Sequence, residues 1–194
     1  MAAPLSDLRV VDISTVLAGP NCARYLADFG ADVIKVERPD TGDSLRGMAW
    51  RDPRDGEGLW WKLVNRNKRN IALDFKNEED LALLRKLLDD AHVLVENFRP
   101  GTLERLDLAP DELLKRNPKL VIVRVSGFGQ DGPASHRAGH DLTYLALSGM
   151  LHHTGTDETP VIPFPPISDY AGGQHAASMV LAGLLRRERT GQGC

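Results

Sequence analysis

The sequence predicts an α/β fold, a mostly parallel β-sheet with helices packed on both of its faces. Two observations carry that expectation. Short β-branched runs alternate with segments of helical period, the rhythm of strand–helix–strand units. The runs are also apolar nearly throughout rather than at every second residue, as strands covered on both faces must be.

The first run, Leu8 to Ile13, ends in Ser14-Thr15 and is followed by Ala18-Gly19-Pro20 and an amphipathic stretch from Asn21 to Phe29. Gly30 closes that helix and Ala31 to Val36 reads as the next strand. Strand, turn, helix and strand fit within about 30 residues, the length of one βαβ unit. The unit recurs. Asn70 to Asp74 is strand-like, Glu79 to Asp90 carries Leu81, Leu84, Leu87 and Leu88 at helical spacing, and His92 to Glu96 is strand-like again. Asp111 to Asn117 is a short helix stopped by Pro118, and Leu120 to Val125 is the most strand-like run of the chain. No repeat of solenoid period is present.

Two stretches break the rhythm. Asp40 to Asp55 is a long polar loop, and the Gly127 to Gly139 stretch gathers Gly127, Gly129, Gly132, Pro133 and Gly139. Loops of that length in a compact domain are usually functional. Beyond them, Leu142 to Leu151 reads as helix, Thr159 to Pro166 as an extended Pro-rich segment, and Tyr170 to Arg189 as a long helix rich in small residues. The final Thr190-Gly191-Gln192-Gly193-Cys194 turns toward a further strand, so the chain is expected to be a fragment with one sheet edge unfinished. Met179, Leu181, Leu184 and Leu185 are then expected to lack part of their packing partner.

Composition narrows the function classes. With 42% hydrophobic and 26% charged residues among 194, the chain has the globular average, which excludes disorder. Acidic side chains number 27 against 24 basic ones, so there is no basic excess of the kind nucleic-acid binding needs. No apolar run approaches the ~20 residues of a membrane span. The stretch Met1 to Asp7 has neither the basic nor the apolar region of a secretory leader. Cys22 and Cys194 are too few for a disulfide framework or a metal site. The expectation is a soluble, cytoplasmic protein with no nucleic-acid or membrane partner.

Ligands of open α/β sheets bind beyond the carboxyl ends of the strands, which directs attention to the strand ends. Arg38 follows the second strand, Asn97 and Arg99 follow His92 to Glu96, and Arg66-Asn67-Lys68-Arg69 precedes the third strand. Gathered cations of this kind suit a phosphorylated ligand, although a run of four also reads as an ordinary solvated basic turn. The first turn, Ser14-Thr15-Val16-Leu17-Ala18-Gly19-Pro20, is neither a Walker A loop nor G-x-G-x-x-G, so a nucleotide hydrolase or nicotinamide enzyme has no motif support. Acid–base candidates come later. His140-Asp141 stands at a helix start, where the positive end of the dipole favours a neutral imidazole. Asp169 lies where an apolar segment becomes helix, and an aspartate there can be a plain N-cap or a reactive group. His152-His153 has no further ligand at metal spacing, so no metal site is expected.

Several motifs together resemble the family III CoA-transferases (CaiB/BaiF, the carnitine dehydratase and bile-acid-inducible group). They are Leu8 to Asp12, Gly30 to Pro39, Asn67-Lys68-Arg69, Glu96 to Gly101, Ser126 to Pro133 and Thr190 to Gly193, in order over essentially the whole chain. The segment Ala138 to Gly149 is more similar to the α-methylacyl-CoA racemase branch, because transferases commonly carry an aromatic residue where this chain has His140.

The resemblance implies a Rossmann-like sheet, with residues 1–194 forming the N-terminal part of the large CoA-binding domain and the small domain and C-terminal return segment absent. It implies an interlocked homodimer and an acyl-CoA thioester substrate, with coenzyme A arriving as part of that substrate and no permanently bound cofactor. By position, Leu17, Ala18, Arg38, Asn65, Arg66, Asn67, Lys68, Asn97, Phe98, Arg99 and Arg105 match places that hold CoA, Arg38 near the adenine. Asp169 matches the transferases' nucleophile and the racemases' aspartate, and His140 the racemases' histidine. The first expectation is therefore a 2-methylacyl-CoA racemase that moves a proton between His140 and Asp169. The alternative is CoA transfer between carboxylic acids through an Asp169 anhydride and an aspartyl-CoA thioester. The third is an inactive fragment that at most binds CoA.

Overall fold

Five strands pair edge to edge in the computed structural model, which describes residues 2–156 and 158–194; Met1 and Asp157 lie outside the described residues. The strands are β1 (Arg9–Asp12), β2 (Asp32–Glu37), β3 (Lys68–Ala72), β4 (Val93–Glu96) and β5 (Val121–Arg124). They lie in the order β3-β2-β1-β4-β5, and every neighbouring pair is parallel. The helices are α1 (Ala18–Asp28), α2 (Leu59–Asn65), α3 (Glu78–Asp89), α4 (Thr102–Arg105), α5 (Pro110–Arg116), α6 (Asp141–Leu147) and α7 (Ile167–Thr190).

Strand alternation divides the core into two layers. Val10, Val33, Val93 and Val121 point to one face, where Cys22 and Leu26 of α1 and Val180 and Leu184 of α7 cover them. Val11, Val36 and Leu94 point to the other, beneath Leu84 of α3, Leu103 of α4 and Leu113 of α5. Both faces are thus dry along β1, β2 and β4, which is why those strands read as apolar runs, whereas the edge strand β3 is largely exposed. On α3 the three apolar anchors, Leu81, Leu84 and Leu88, recur at helical spacing behind an Asn77 cap that accepts from Glu79 N at 2.8 Å.

The paired faces of α1 and α7 approach closely at one point. A Cβ on Gly173 would stand 2.6 Å from Ala18 O and 2.9 Å from Asn21 Cβ, so only glycine fits. Asn21 Nδ2 adds a bond to Tyr170 O at 3.4 Å. These contacts set the amino end of α7 against the amino end of α1.

Several expectations are corrected. α2 and α4 have no counterpart in the sequence reading: each is one or two turns long, and their N-cap positions, Gly58 and Gly101, offer no capping side chain. β3 begins at Lys68 instead of Asn70. The helix expected to run to Leu151 stops at Leu147, because Gly149 takes the left-handed conformation at φ 78°. Leu184 is buried in the core, while Met179, Leu181 and Leu185 are exposed. Cys194 pairs with the free edge of β5, its N–H donating to Leu120 O at 3.1 Å and its carbonyl accepting from Ile122 N at 2.8 Å. Among the described residues, no helix is long and apolar enough to cross a membrane.

Beneath the β1–α1 turn lies a dehydrated charge network. Lys68 Nζ meets Asp12 Oδ2 at 2.9 Å, with side chains 1% and 0% exposed, and also donates to Pro20 O and Asn65 Oδ1. Lys35, equally buried, donates to Ser14 O and stands 3.4 Å from Asp43. Burial alone would raise the Asp12 carboxyl; the Lys35 and Lys68 ammoniums outweigh it and hold the group below the ordinary carboxylate range. Removing one member strands its partner's charge in the core. Lys68→Met is therefore expected to lower unfolding free energy by about 3–5 kcal/mol, read from urea denaturation. A loss under about 1 kcal/mol, the range of exposed pairs, would show that the network is not structural.

Candidate active site

In a parallel sheet of this order the strand sequence reverses between β1 and β4, and ligands lodge beyond that crevice. A cleft of about 500 Å³ opens there. Its walls are the turn after β1 (residues 15–18), the turn after β4 (residues 97–100), the backbone after β5, and the amino ends of α6 and α7. A second cavity of about 360 Å³ adjoins it, sharing Thr15 and Phe98. The second cavity has apolar walls from Ile13, Val36, Leu73 and Phe75, with Arg38 and Lys76 lining it beside Asp74 and the already engaged Glu37 and Asp43.

The β1–α1 turn is held from three sides. Val16, a β-branched residue, sits at φ 65°, a conformation that costs on the order of 1–3 kcal/mol and survives only where surroundings fix it. Its N–H donates to both oxygens of Asp43 at 3.2 and 3.1 Å. Asp43 in turn is anchored by Lys35 and by its own N–H to Glu37 Oε2 at 2.8 Å. From the opposite strand, Asn97 accepts from Thr15 N at 2.8 Å and donates to Thr15 O at 2.7 Å. The two lips of the crevice are thereby locked together.

Its electrostatics favour an anion. Many arginines and lysines elsewhere are paired, such as Arg46 with Glu37 and Arg124 with Glu96, while others such as Arg51 and Arg105 bond to backbone or hydroxyl oxygens only. Arg99 and Arg137 in the cleft, and Arg38 and Lys76 in the adjoining cavity, form no ion pair among the described residues. The N-terminal residue of α1, Ala18, adds the positive end of a helix dipole to the same wall.

Asp169 lies in this cleft, in the first turn of α7. The N-cap position of α7 is Pro166, which has no capping side chain, so the simple N-cap reading of Asp169 is corrected. That work is done from α6: Asp141 Oδ1 accepts from Ser168 N at 2.7 Å, Ser168 Oγ at 2.5 Å and Asp169 N at 3.3 Å. The Asp169 carboxyl is half-buried, and burial followed by the Asp141 charge pushes it up to about 6 against the opposing pull of His140. His140 is the N-cap residue of α6 and lines the same cleft. The Tyr144 ring is wedged where Gly127 and Gly139 leave room, with its edge toward Phe128 at 5.5 Å. Burial and then the Asp169 charge raise its phenol.

The structure brings Leu17, Ala18, Asn97, Phe98, Arg99, His140 and Asp169 into one cleft, with Arg38 next door. Asn65, Arg66, Asn67 and Lys68 are not brought there. They precede or begin β3, at the amino edge of the sheet, where Arg66 and Asn67 hold Asp28 and where Asn65 and Lys68 join the buried network. Arg105 bonds Thr102 Oγ1 at 2.9 Å and lines neither cavity. Sequence reasoning missed Lys76, Arg137, Tyr144 and the anchor Asp43. Lys76 follows the carboxyl end of β3, so the strand-end argument applied to that end instead of the amino end would have found it.

Against known proteins, the chain is 43% identical over 191 residues to the succinyl-CoA–D-citramalate CoA-transferase of Chloroflexus aurantiacus, covering 98% of this chain and 47% of that one. It is 41% identical over 192 residues to the succinyl-CoA:glutarate CoA-transferase of Mus musculus, covering 98% and 44%. A crystal structure of a CAIB/BAIF family protein from Brucella suis superposes with a TM-score of 0.94 at 34% identity, covering all of this chain and 52% of that one. The chain thus spans about half the length of the curated relatives it matches. Those relatives are named as CoA-transferases, which favours the transferase alternative over the racemase expectation drawn from residues 138–149. The family model for CoA-transferase family III matches residues 5–194, and the chain belongs to that family.

Proposed function

We propose that this chain carries the nucleophile of a CoA-transferase, and that Asp169 is that nucleophile. The observation that carries the reading is a half-buried carboxylate that does not cap its own helix, raised to about 6, in a cleft that also holds the unpaired Arg99 and Arg137. Such a group is ionised at neutral pH yet more basic than an ordinary aspartate, which suits a carboxylate nucleophile. The Asp169 oxygen attacks the thioester carbonyl of the donor acyl-CoA, expelling CoA thiolate and leaving a mixed anhydride. The thiolate attacks the aspartyl carbonyl, releasing the donor acid as carboxylate and leaving an aspartyl-CoA thioester. An acceptor carboxylate then reverses the two steps, so that CoA leaves on a new acid and Asp169 is restored. Each step exchanges one anion for another, and no external base is needed.

The cavities suit the donor's shape. The nucleotide end of CoA fits the apolar smaller cavity, with Arg38 and Lys76 beside its phosphates, and the pantetheine arm runs past Thr15 and Phe98 toward Asp169. The relatives named for succinyl-CoA, citramalate and glutarate support short dicarboxylic acids as the exchanged acids. Arg99 and Arg137 are free cations in the same cleft, available for the second carboxylate of such an acid.

Three outcomes test this in protein expressed from its complete reading frame. Asp169→Ala abolishes CoA exchange between succinate and a second acid, while hydroxylamine converts wild-type Asp169 to a hydroxamate only after acyl-CoA is added. Deuterium exchange at the α-carbon of a 2-methylacyl-CoA, with no trapped Asp169, would instead establish the racemase chemistry of His140 and Asp169. Arg38→Ala weakens CoA binding by about 1.5–3 kcal/mol in calorimetry, the range for charge-assisted hydrogen bonds, and unchanged affinity would remove Arg38 from the site. Asp169→Asn stabilises the fold. A carboxyl raised in the native state opposes folding wherever it is charged, fully above pH 6 and not at all below its unfolded value of 3.8. Asparagine is thus expected to add about 1–2 kcal/mol at pH 8 and nothing at pH 3.5, and an equal gain at both would refute the charge argument.

A further inference from the structure

We propose that Asp141 is a positioning residue for Asp169: from the first turn of α6 it caps the amino end of α7 and fixes the turn on which the nucleophile stands. The inference rests on the reading of Asp169 as nucleophile and extends it to the group that holds it.

A 24-residue helix must satisfy the N–H groups of its first turn, and α7 begins after Pro166, which offers no side-chain acceptor. Asp141 supplies it from another helix, taking Ser168 N at 2.7 Å and Asp169 N at 3.3 Å on one oxygen. Ser168 Oγ reinforces the junction, donating to the same oxygen at 2.5 Å and lying 3.2 Å from Asp141 O. Asp141 therefore grips the backbone of Asp169 itself, and the amino ends of α6 and α7 converge at the cleft. With the backbone amide pinned, the point from which the Asp169 side chain departs is fixed at the cleft, one condition for a near-attack geometry.

The grip also carries a charge. The titratable and charged groups facing the Asp169 site are His140, Asp141 and Tyr144 of α6, Arg99 of the turn after β4, and Arg137 of the Gly-rich loop. Of these, Asp141 is the one carboxylate. A like charge beside Asp169 favours its protonated form, in line with the raised value already described.

The test uses two variants in protein expressed from its complete reading frame. Asp141→Asn keeps an acceptor oxygen and removes the charge, and Asp141→Ala removes both. The Asp169 carboxyl is titrated by carbon-13 NMR, with Asp169→Asn assigning its signal, and kcat and KM for CoA transfer are recorded against pH. In Asp141→Asn the Asp169 midpoint and the acidic limb of kcat/KM both fall by about one pH unit. In Asp141→Ala kcat falls on the order of tenfold across the pH range while KM for acyl-CoA stays within about threefold. An unmoved titration in Asp141→Asn overturns the proposal, and so does an unchanged kcat in Asp141→Ala. Should Asp141→Ala not fold, the Asp141→Asn titration decides alone. That titration is independent of turnover. A shifted midpoint in a protein without transferase activity rejects the nucleophile reading and upholds the Asp141 coupling, while transfer with an unmoved midpoint does the reverse.

Discussion

Two buried lysines hold the β1–α1 turn, Lys68 reaching it from the amino end of β3 by its long side chain. Lys35 from β2 and Lys68 from β3 lie in the dry space under the β1–α1 turn, each within reach of a buried aspartate and a backbone carbonyl of that turn or of α1. Replacing such a cluster with well-packed apolar side chains is often neutral or stabilising, so stability alone does not explain it. What the ions supply is direction. Asp43, oriented by Lys35, accepts the N–H of a valine in a left-handed conformation, and Asn97 takes both backbone polar groups of Thr15. An oily core has no directional preference and could not keep that turn bent.

From this anchored turn the rest of the site follows in steps. Ala18 and Asn21 of α1 meet Gly173 of α7 at a distance only glycine permits, which delivers the first turn of α7, with Asp169, to the crevice. The capping duty at α7 falls to Asp141, leaving the Asp169 carboxylate free and less well solvated than a surface aspartate. The arrangement opposes folding at the position proposed as the nucleophile, the kind of trade that active sites often make. Arg99 and Arg137 at the cleft, and Arg38 and Lys76 in the adjoining cavity, remain outside the protein's own ion pairs among the described residues.

Much of the scaffold was legible in the sequence because parallel strands buried on both faces leave unmistakable apolar runs, as at Val93 to Glu96 and Val121 to Arg124. Short helices were not. Leu59 to Asn65 has two turns and no capping side chain, so its pattern is indistinguishable from apolar loop. The basic run Arg66-Asn67-Lys68-Arg69 misled for a geometric reason: charge is visible in a sequence, but which end of a strand carries it depends on register, and β3 places it at the amino edge. Asp169 was legible as a candidate, its surroundings only in part. Asp141 acts on it across 27 to 28 positions of sequence, a distance no local pattern reports. The racemase expectation came from one local stretch, residues 138–149, and the relatives matching nearly the whole chain weigh more.

The central claim is that CoA passes through the Asp169 carboxylate, and oxygen isotopes test it most directly. The reaction is run with succinyl-CoA and an acceptor dicarboxylate labelled with oxygen-18 in its carboxyl groups, and the peptide containing Asp169 is weighed by mass spectrometry. If the acceptor forms an anhydride with Asp169, collapse toward the new thioester leaves the bridging label on the aspartate. Each labelled oxygen adds about 2 Da, so Asp169 gains about 2 and then about 4 Da over successive turnovers. Transfer of CoA with no label on Asp169 would contradict the account.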